Sequence, residues 1–137
     1  MGKKKKILVV VDSPTIQKFS SFRLKMIDLN VSFVKDEMQA VEMLSMYRFD
    51  LLIVDLNMSN MDGIAFVKTV RLSENYADVP LKILTSEQSP KAMEKNILFG
   101  ADVYLHKPID RKIIQNEIIK PFLKLGVKSE TSHISSW

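Results

Sequence analysis

Five short runs of aliphatic residues, each followed by a stretch with helical spacing, limit this chain more than any other feature. The runs are Ile7-Leu8-Val9-Val10-Val11, Val31-Ser32-Phe33-Val34, Leu51-Leu52-Ile53-Val54, Leu81-Lys82-Ile83-Leu84 and Val103-Tyr104-Leu105. The first and third are continuous rather than alternating, the pattern of strands covered on both faces. Ser13-Pro14 reads as an N-cap followed by proline at the first helical position, opening a helix through about Leu29. Asp36 can cap a second helix with Ala40, Val41 and Leu44 on one stripe, and Ile64, Val67 and Val70 mark a third. Ser89-Pro90 repeats the start signal for a fourth, which Gly100 closes. Ile113, Ile114, Ile118 and Phe122 outline a fifth, bent or ended by Pro121. Strand–helix alternation of this kind predicts a parallel sheet with helices on both faces, because right-handed crossovers put them there.

Composition removes several kinds of chemistry. The chain has 137 residues, suited to one domain, and no cysteine, which excludes a disulfide scaffold, a thiol nucleophile and a cysteine-ligated metal. Its two histidines, His106 and His133, are too few for a multi-histidine metal centre. No apolar run approaches the ~20 residues of a membrane span, so no membrane partner is expected. The net charge of +4 comes from Lys3 to Lys6; without that run, lysines and arginines equal the 16 acids. The body is therefore not basic and no nucleic-acid face is expected. The lysine run reads as a solvated terminus.

In such sheets ligands bind beyond the carboxyl ends of the strands. Asp12 follows the first strand, Asp55 and then Asn57 the third, Thr85 and Ser86 the fourth, Lys107 and Pro108 the fifth. Two carboxylates, a hydroxyl and an ammonium therefore meet at one sheet edge. Oxygen ligands suit Mg²⁺, and a carboxylate beside it can attack phosphorus to form an acyl phosphate. Phosphoryl transfer needs positioning and charge neutralisation above all. Asp50 and Asp62 read as turn or cap residues, and His106 as a surface strand-end residue.

These pieces together resemble the response regulator receiver domains of two-component signalling. The matching segments are Lys6 to Ser13, Asp50 to Asp55, Met58 with Met61-Asp62-Gly63, Ile83 to Ser86 and Gly100 to Pro108, in family order. The resemblance implies a flavodoxin-like, doubly wound α/β fold with five parallel strands in the order 2-1-3-4-5. It implies Asp55 as phosphoacceptor, Mg²⁺ held by Asp12, Asp55 and the Asn57 backbone carbonyl, Thr85 as switch hydroxyl, Lys107 as the charge partner and Tyr104 as switch aromatic. Asn57 and Glu87 occupy positions that tune phosphoryl lifetime in chemotaxis-type receivers. Tyr104 also reads as a half-buried strand aromatic, and Glu87 as a solvated helix-flank charge.

Two residues depart from the pattern. Val11 stands where the family usually has the first of two adjacent acids, and Ser59 where it usually has proline. The implied organisation is a basic tail over 1–5, a receiver domain over 6–125 and a loose tail over 126–137. The implied role is a cytoplasmic, stand-alone receiver, monomeric or weakly dimeric. It would accept a phosphoryl group from a sensor histidine kinase or phosphotransfer protein. It would then dock a target protein through its fourth helix, fifth strand and fifth helix, around Lys91, Tyr104 and Ile109. Two alternatives stand beside this signalling, non-enzymatic role. One is a pseudo-receiver that binds partners without phosphorylation, suggested by Val11. The other is an aspartyl-phosphate phosphohydrolase, opposed by Asn57 in the place of that class's general acid.

Overall fold

Runs of valine, isoleucine and leucine bury both faces of a strand at once, and in the computed structural model they form the centre of the molecule. The structure describes residues 5–12, 14, 16–17, 29–58, 61–86, 100–107 and 110–120. Strands β1 (Lys5–Val10), β2 (Leu29–Val34), β3 (Leu51–Asp55), β4 (Leu81–Thr85) and β5 (Val103–His106) pair in parallel in the order β2-β1-β3-β4-β5. This is the predicted flavodoxin-like order. Every residue of β3 and β4 is buried.

Helix α1 (Glu37–Met46) starts at Asp36, whose carboxylate accepts from the Gln39 N–H at 2.7 Å. Its buried stripe differs slightly from the sequence expectation. Ala40 is buried and Met43 and Leu44 pack against the core, but Val41 is exposed. Helix α2 (Gly63–Leu72) is capped by Asp62, which accepts from the Ala65 N–H at 3.1 Å, and buries Phe66, Val67 and Val70. Asp62 thus takes the local cap role its sequence neighbours suggest. Asp50 instead makes a long-range bond, accepting from the Lys6 N–H of β1 at 2.8 Å.

The last helix begins as α3 (Arg111–Ile113), with Asp110 accepting from the Ile113 N–H, and continues as a π-helical segment, Ile114–Ile119. Most of the expected first helix and all of the fourth but Gly100 lie outside the described residues, as do Pro121, Phe122 and the C-terminal tail. Gly100 itself has φ +108, where a side chain would be strained, and an added Cβ would stand 2.8 Å from Arg71 Cγ. That closeness lets Arg71 tie the loop before β4 to the loop before β5. Its guanidinium donates to the carbonyls of Gly100, Tyr76, Ala77 and Val79 and pairs with Asp102 at 3.1 Å.

The sheet divides the apolar residues into two layers. One contains Leu8, Val10, Leu52, Val54, Phe66, Val67, Val70, Leu81 and Ile83, under α1 and α2. The other contains Ile7, Val9, Val11, Leu51, Ile53, Leu84, Leu105 and Ile114. Alternation along each strand sends neighbouring residues to opposite layers, which is why the strands read as unbroken apolar runs.

Candidate functional site

Parallel register brings the expected residues to one edge. Val10 of β1 is level with Val54 of β3, Asp55 with Leu84 of β4, and Thr85 with His106 of β5. Asp55 therefore ends its strand beside the last residues of β1 and β4, with Thr85 ending β4 and with Asp12 and Lys107 a step or two beyond β1 and β5. Asp55 and Thr85 are fully buried, and Asp12 and Lys107 are half-buried.

A buried carboxylate needs charge compensation and donors. Asp55 has both: its Oδ2 accepts from the Lys107 ammonium at 2.8 Å, and its Oδ1 accepts from the Asn57 N–H at 2.8 Å. Lys107 keeps 22% of its side chain exposed while Asp55 has none, so the pair opens to solvent only on the lysine side. The Asn57 side-chain oxygen accepts from the Ser86 N–H at 2.7 Å, and the Thr85 carbonyl accepts from the Lys107 N–H at 2.8 Å. Four hydrogen bonds and the Thr85–Ser86 chain segment thus close a ring from Asp55 through Asn57, Ser86, Thr85 and Lys107 back to Asp55. Sequence reasoning assigned Asn57 a backbone carbonyl and a tuning side chain. The link to Ser86 across 29 positions was missed, since no local signal marks it.

The departure at Val11 acquires a physical setting. Val11 is fully buried and belongs to the apolar layer with Ile7, Val9, Leu84 and Leu105, while its N–H donates to the Val34 carbonyl. Valine here extends the core to the edge of the site. Among the described residues no three His, Cys, Asp or Glu side chains group together. Two carboxylates with a backbone carbonyl nevertheless suit Mg²⁺, which takes one or two carboxylates and keeps several waters. Among the described residues each Asp55 oxygen accepts from one donor and retains acceptor capacity. The backbone of Tyr104 lies in β5, but its side chain, Glu87, Lys91 and Ile109 lie outside the described residues. No helix among the described residues is long and apolar enough to cross a membrane.

Comparison with known proteins agrees with this geometry. Residues 7–119 match the model of the family described as the response regulator receiver domain. The sensor protein EvgS of Escherichia coli K12 is 32% identical over 118 residues, covering 86% of this chain and 10% of that one. The CAI-1 autoinducer sensor kinase/phosphatase CqsS of Vibrio cholerae is 27% identical over 115 residues, 83% of this chain and 17% of that one. The chain therefore spans less than a fifth of the length of these curated relatives. Among solved structures, the chemotaxis response regulator CheY4 of Vibrio cholerae superposes with TM-score 0.72 at 31% identity, covering 92% of this chain and 98% of that one. The receiver domain of the sensor histidine kinase PA1611 from Pseudomonas aeruginosa, described with magnesium coordinated in its active-site cleft, gives TM-score 0.69 at 29% identity. That match covers 83% of this chain and 93% of that one.

Proposed function

The chain belongs to the response regulator receiver domain family of two-component signalling, and on that premise we propose that Asp55 accepts a phosphoryl group from phosphohistidine. The donor is a sensor histidine kinase or a phosphotransfer protein. The observation that carries this reading is the fully buried Asp55 carboxylate held between the Lys107 ammonium and the Asn57 N–H. In the transfer the histidine N–P bond breaks, the Asp55 O–P bond forms and the imidazole leaves with the bonding electron pair. Asp12, Asp55 and the Asn57 carbonyl would hold Mg²⁺, which when bound supplies charge neutralisation at the transferring group.

Lys107 starts on the carboxylate and can follow the new phosphoryl oxygens, because an ammonium on a flexible stem is not tied to one plane. Thr85 then donates its hydroxyl to the phosphoryl group, and the end of β4 shifts with it. Tyr104 moves into the space released, and a docking face formed by the fourth helix, β5 and the last helix changes its population. Asn57 and Glu87 govern access of water to the acyl phosphate. The protein acts as a phosphoacceptor rather than as an enzyme on other substrates, in the cytoplasm. The reading holds equally for a separate receiver, as in CheY4, and for a receiver within a sensor kinase.

One observation favours a second reading. The fully buried Val11 removes a carboxylate from the metal side of the site, which suits a pseudo-receiver that docks without phosphorylation. Intact-mass measurement after incubation with a small acyl-phosphate donor and Mg²⁺ separates the two. The expected result is one added phosphoryl group in the wild type and none in Asp55→Asn. No addition in the wild type would establish the pseudo-receiver instead.

A further inference from the structure

The amino ends of β1 and β2 carry polar residues at positions that face a helix. Side chains alternate along a strand, so Lys6 shares a face with Leu8 and Val10, and Asn30 and Ser32 share one with Val34. Leu8, Val10 and Val34 are buried in the layer that also holds Ala40 of α1. Register sets Lys6 level with Asn30 and Leu8 level with Ser32, so an ammonium, a carboxamide and a hydroxyl come together on that face. Met43, Tyr47 and Phe49, from the end of α1 and the segment after it, close the other side. These six residues line a cavity of about 250 Å³.

The frame of the cavity is fixed by hydrogen bonds. The Lys6 N–H donates to the Asp50 carboxylate at 2.8 Å, and the Asp50 N–H donates to the Lys6 carbonyl at 2.7 Å. The Tyr47 N–H donates to the Met43 carbonyl at 2.9 Å, and the Tyr47 carbonyl accepts from the Tyr76 hydroxyl at 2.6 Å. The Tyr47 and Phe49 rings meet edge to face with centroids 6.5 Å apart. The Lys6 ammonium stands 5.5 Å from the centre of the Tyr47 ring, which keeps it at the cavity. Among the described residues that ammonium has no carboxylate partner, and the Asn30 and Ser32 side chains have no hydrogen-bond partner.

A cation, amide donors and a hydroxyl beside an apolar wall suit an anion joined to an apolar body. Among the described residues the lining holds no carboxylate to repel it. The single ammonium balances one negative charge, whereas a phosphate monoester brings about −1.5 to −2. The volume is below the ~300–1,000 Å³ of drug-sized sites, which limits the ligand to one ring with a short acid arm. Tyr47, Phe49 and the Met43 thioether favour an aromatic ring through edge and sulfur contacts.

We propose that this cavity binds a small aryl carboxylate, with Lys6, Asn30 and Ser32 on the acid group and Met43, Tyr47 and Phe49 around the ring. The site lies at the amino ends of the strands, whereas Asp55 ends β3 at the opposite edge of the sheet. It gives the domain a ligand input separate from Asp55, and it does not rest on the phosphoacceptor reading.

The test is titration of the full chain with phenylacetate, followed by amide NMR, with phenylacetamide, acetate and phenyl phosphate alongside. Phenylacetate should shift the signals of Lys6, Asn30, Ser32 and Tyr47 saturably, with a Kd of about 1 mM for its ~10 non-hydrogen atoms. Phenylacetamide lacks the charge, acetate lacks the ring and phenyl phosphate carries excess charge, so each should bind about tenfold more weakly or worse. Lys6→Met keeps the stem and should weaken phenylacetate about 10–100-fold, and Lys6→Arg should restore most of the affinity. Asp55→Asn should bind as the wild type does.

Equal binding of phenylacetamide would overturn the anion assignment without recourse to any variant. Phenyl phosphate binding as tightly as phenylacetate would overturn the choice of a carboxylate. Shifts centred on other residues, or wild-type affinity in folded Lys6→Met, would overturn the site itself. So would the absence of saturation at about ten times the expected Kd. Weakened binding in Asp55→Asn would overturn its separation from the phosphoacceptor edge.

Discussion

Val11→Asp puts a carboxylate where the structure has a fully buried valine, one residue past Val10, which is level with Val54 in the β1–β3 register. Two costs add. Burial of the valine side chain is lost, about 1.5–3 kcal/mol, and a carboxyl is desolvated among Ile7, Val9, Leu84 and Leu105, about 1–3 kcal/mol even when neutral. The total, about 2.5–6 kcal/mol, is a large part of the ~5–15 kcal/mol that holds a typical domain together. With a urea slope of about 2 kcal/mol per M, the unfolding midpoint in EDTA should fall by roughly 1–3 M.

Mg²⁺ reverses part of this, because the new carboxylate adds a negative charge beside the proposed metal ligands. Stabilisation is about 2.7 kcal/mol when the free metal exceeds its dissociation constant 100-fold. The variant should therefore bind Mg²⁺ more tightly and show a larger Mg²⁺-dependent gain in urea midpoint than the wild type. Burial and the neighbouring Asp55 charge raise the folded-state pKa of the new carboxyl. A raised folded-state pKa means stability is greatest below the unfolded value and is lost as pH rises through the folded one. The metal-free variant should thus be relatively less impaired in mild acid. A midpoint in EDTA equal to wild type would refute the core placement of Val11. A wild-type Mg²⁺ response would refute its proximity to the metal.

Three further outcomes follow from the site and its supports. Lys107→Arg should still add a phosphoryl group by intact mass, but exchange over residues 85–107 should respond weakly, because a planar guanidinium cannot follow the oxygens as an ammonium does. Thr85→Ala should likewise be phosphorylated while losing the exchange response in 103–107 and 110–120; an unchanged response would remove Thr85 from the switch. Arg71→Ala strips hydrogen bonds from the Gly100, Tyr76, Ala77 and Val79 carbonyls and from Asp102, costing about 2–4 kcal/mol and on the order of 10 °C in melting temperature, with phosphorylation retained.

Local chemistry in this chain was legible from order alone. Apolar runs marked the strands, Asp36 and Asp62 took the cap positions ahead of α1 and α2, and the acids, hydroxyl and lysine stood at the strand ends. Those signals are short-range, so they survive in a one-dimensional reading. The strand order entered through resemblance, since alternation of strands and helices is shared by several doubly wound arrangements.

What only the tertiary structure decided is which distant groups satisfy one another. The Asn57 side chain is committed to Ser86, Arg71 to loops up to 31 residues away, and Val11 to the core. Lys82 illustrates the reason most directly. A lysine within a strand reads as a solvent-facing position. Parallel crossovers bring both sides of the sheet under helices, so that lysine is buried and its ammonium donates to the Glu117 carbonyl of the last helix, 35 positions away. Pairing of donors with acceptors is settled by where the chain's crossovers bring them in space, and no spacing within either segment encodes it.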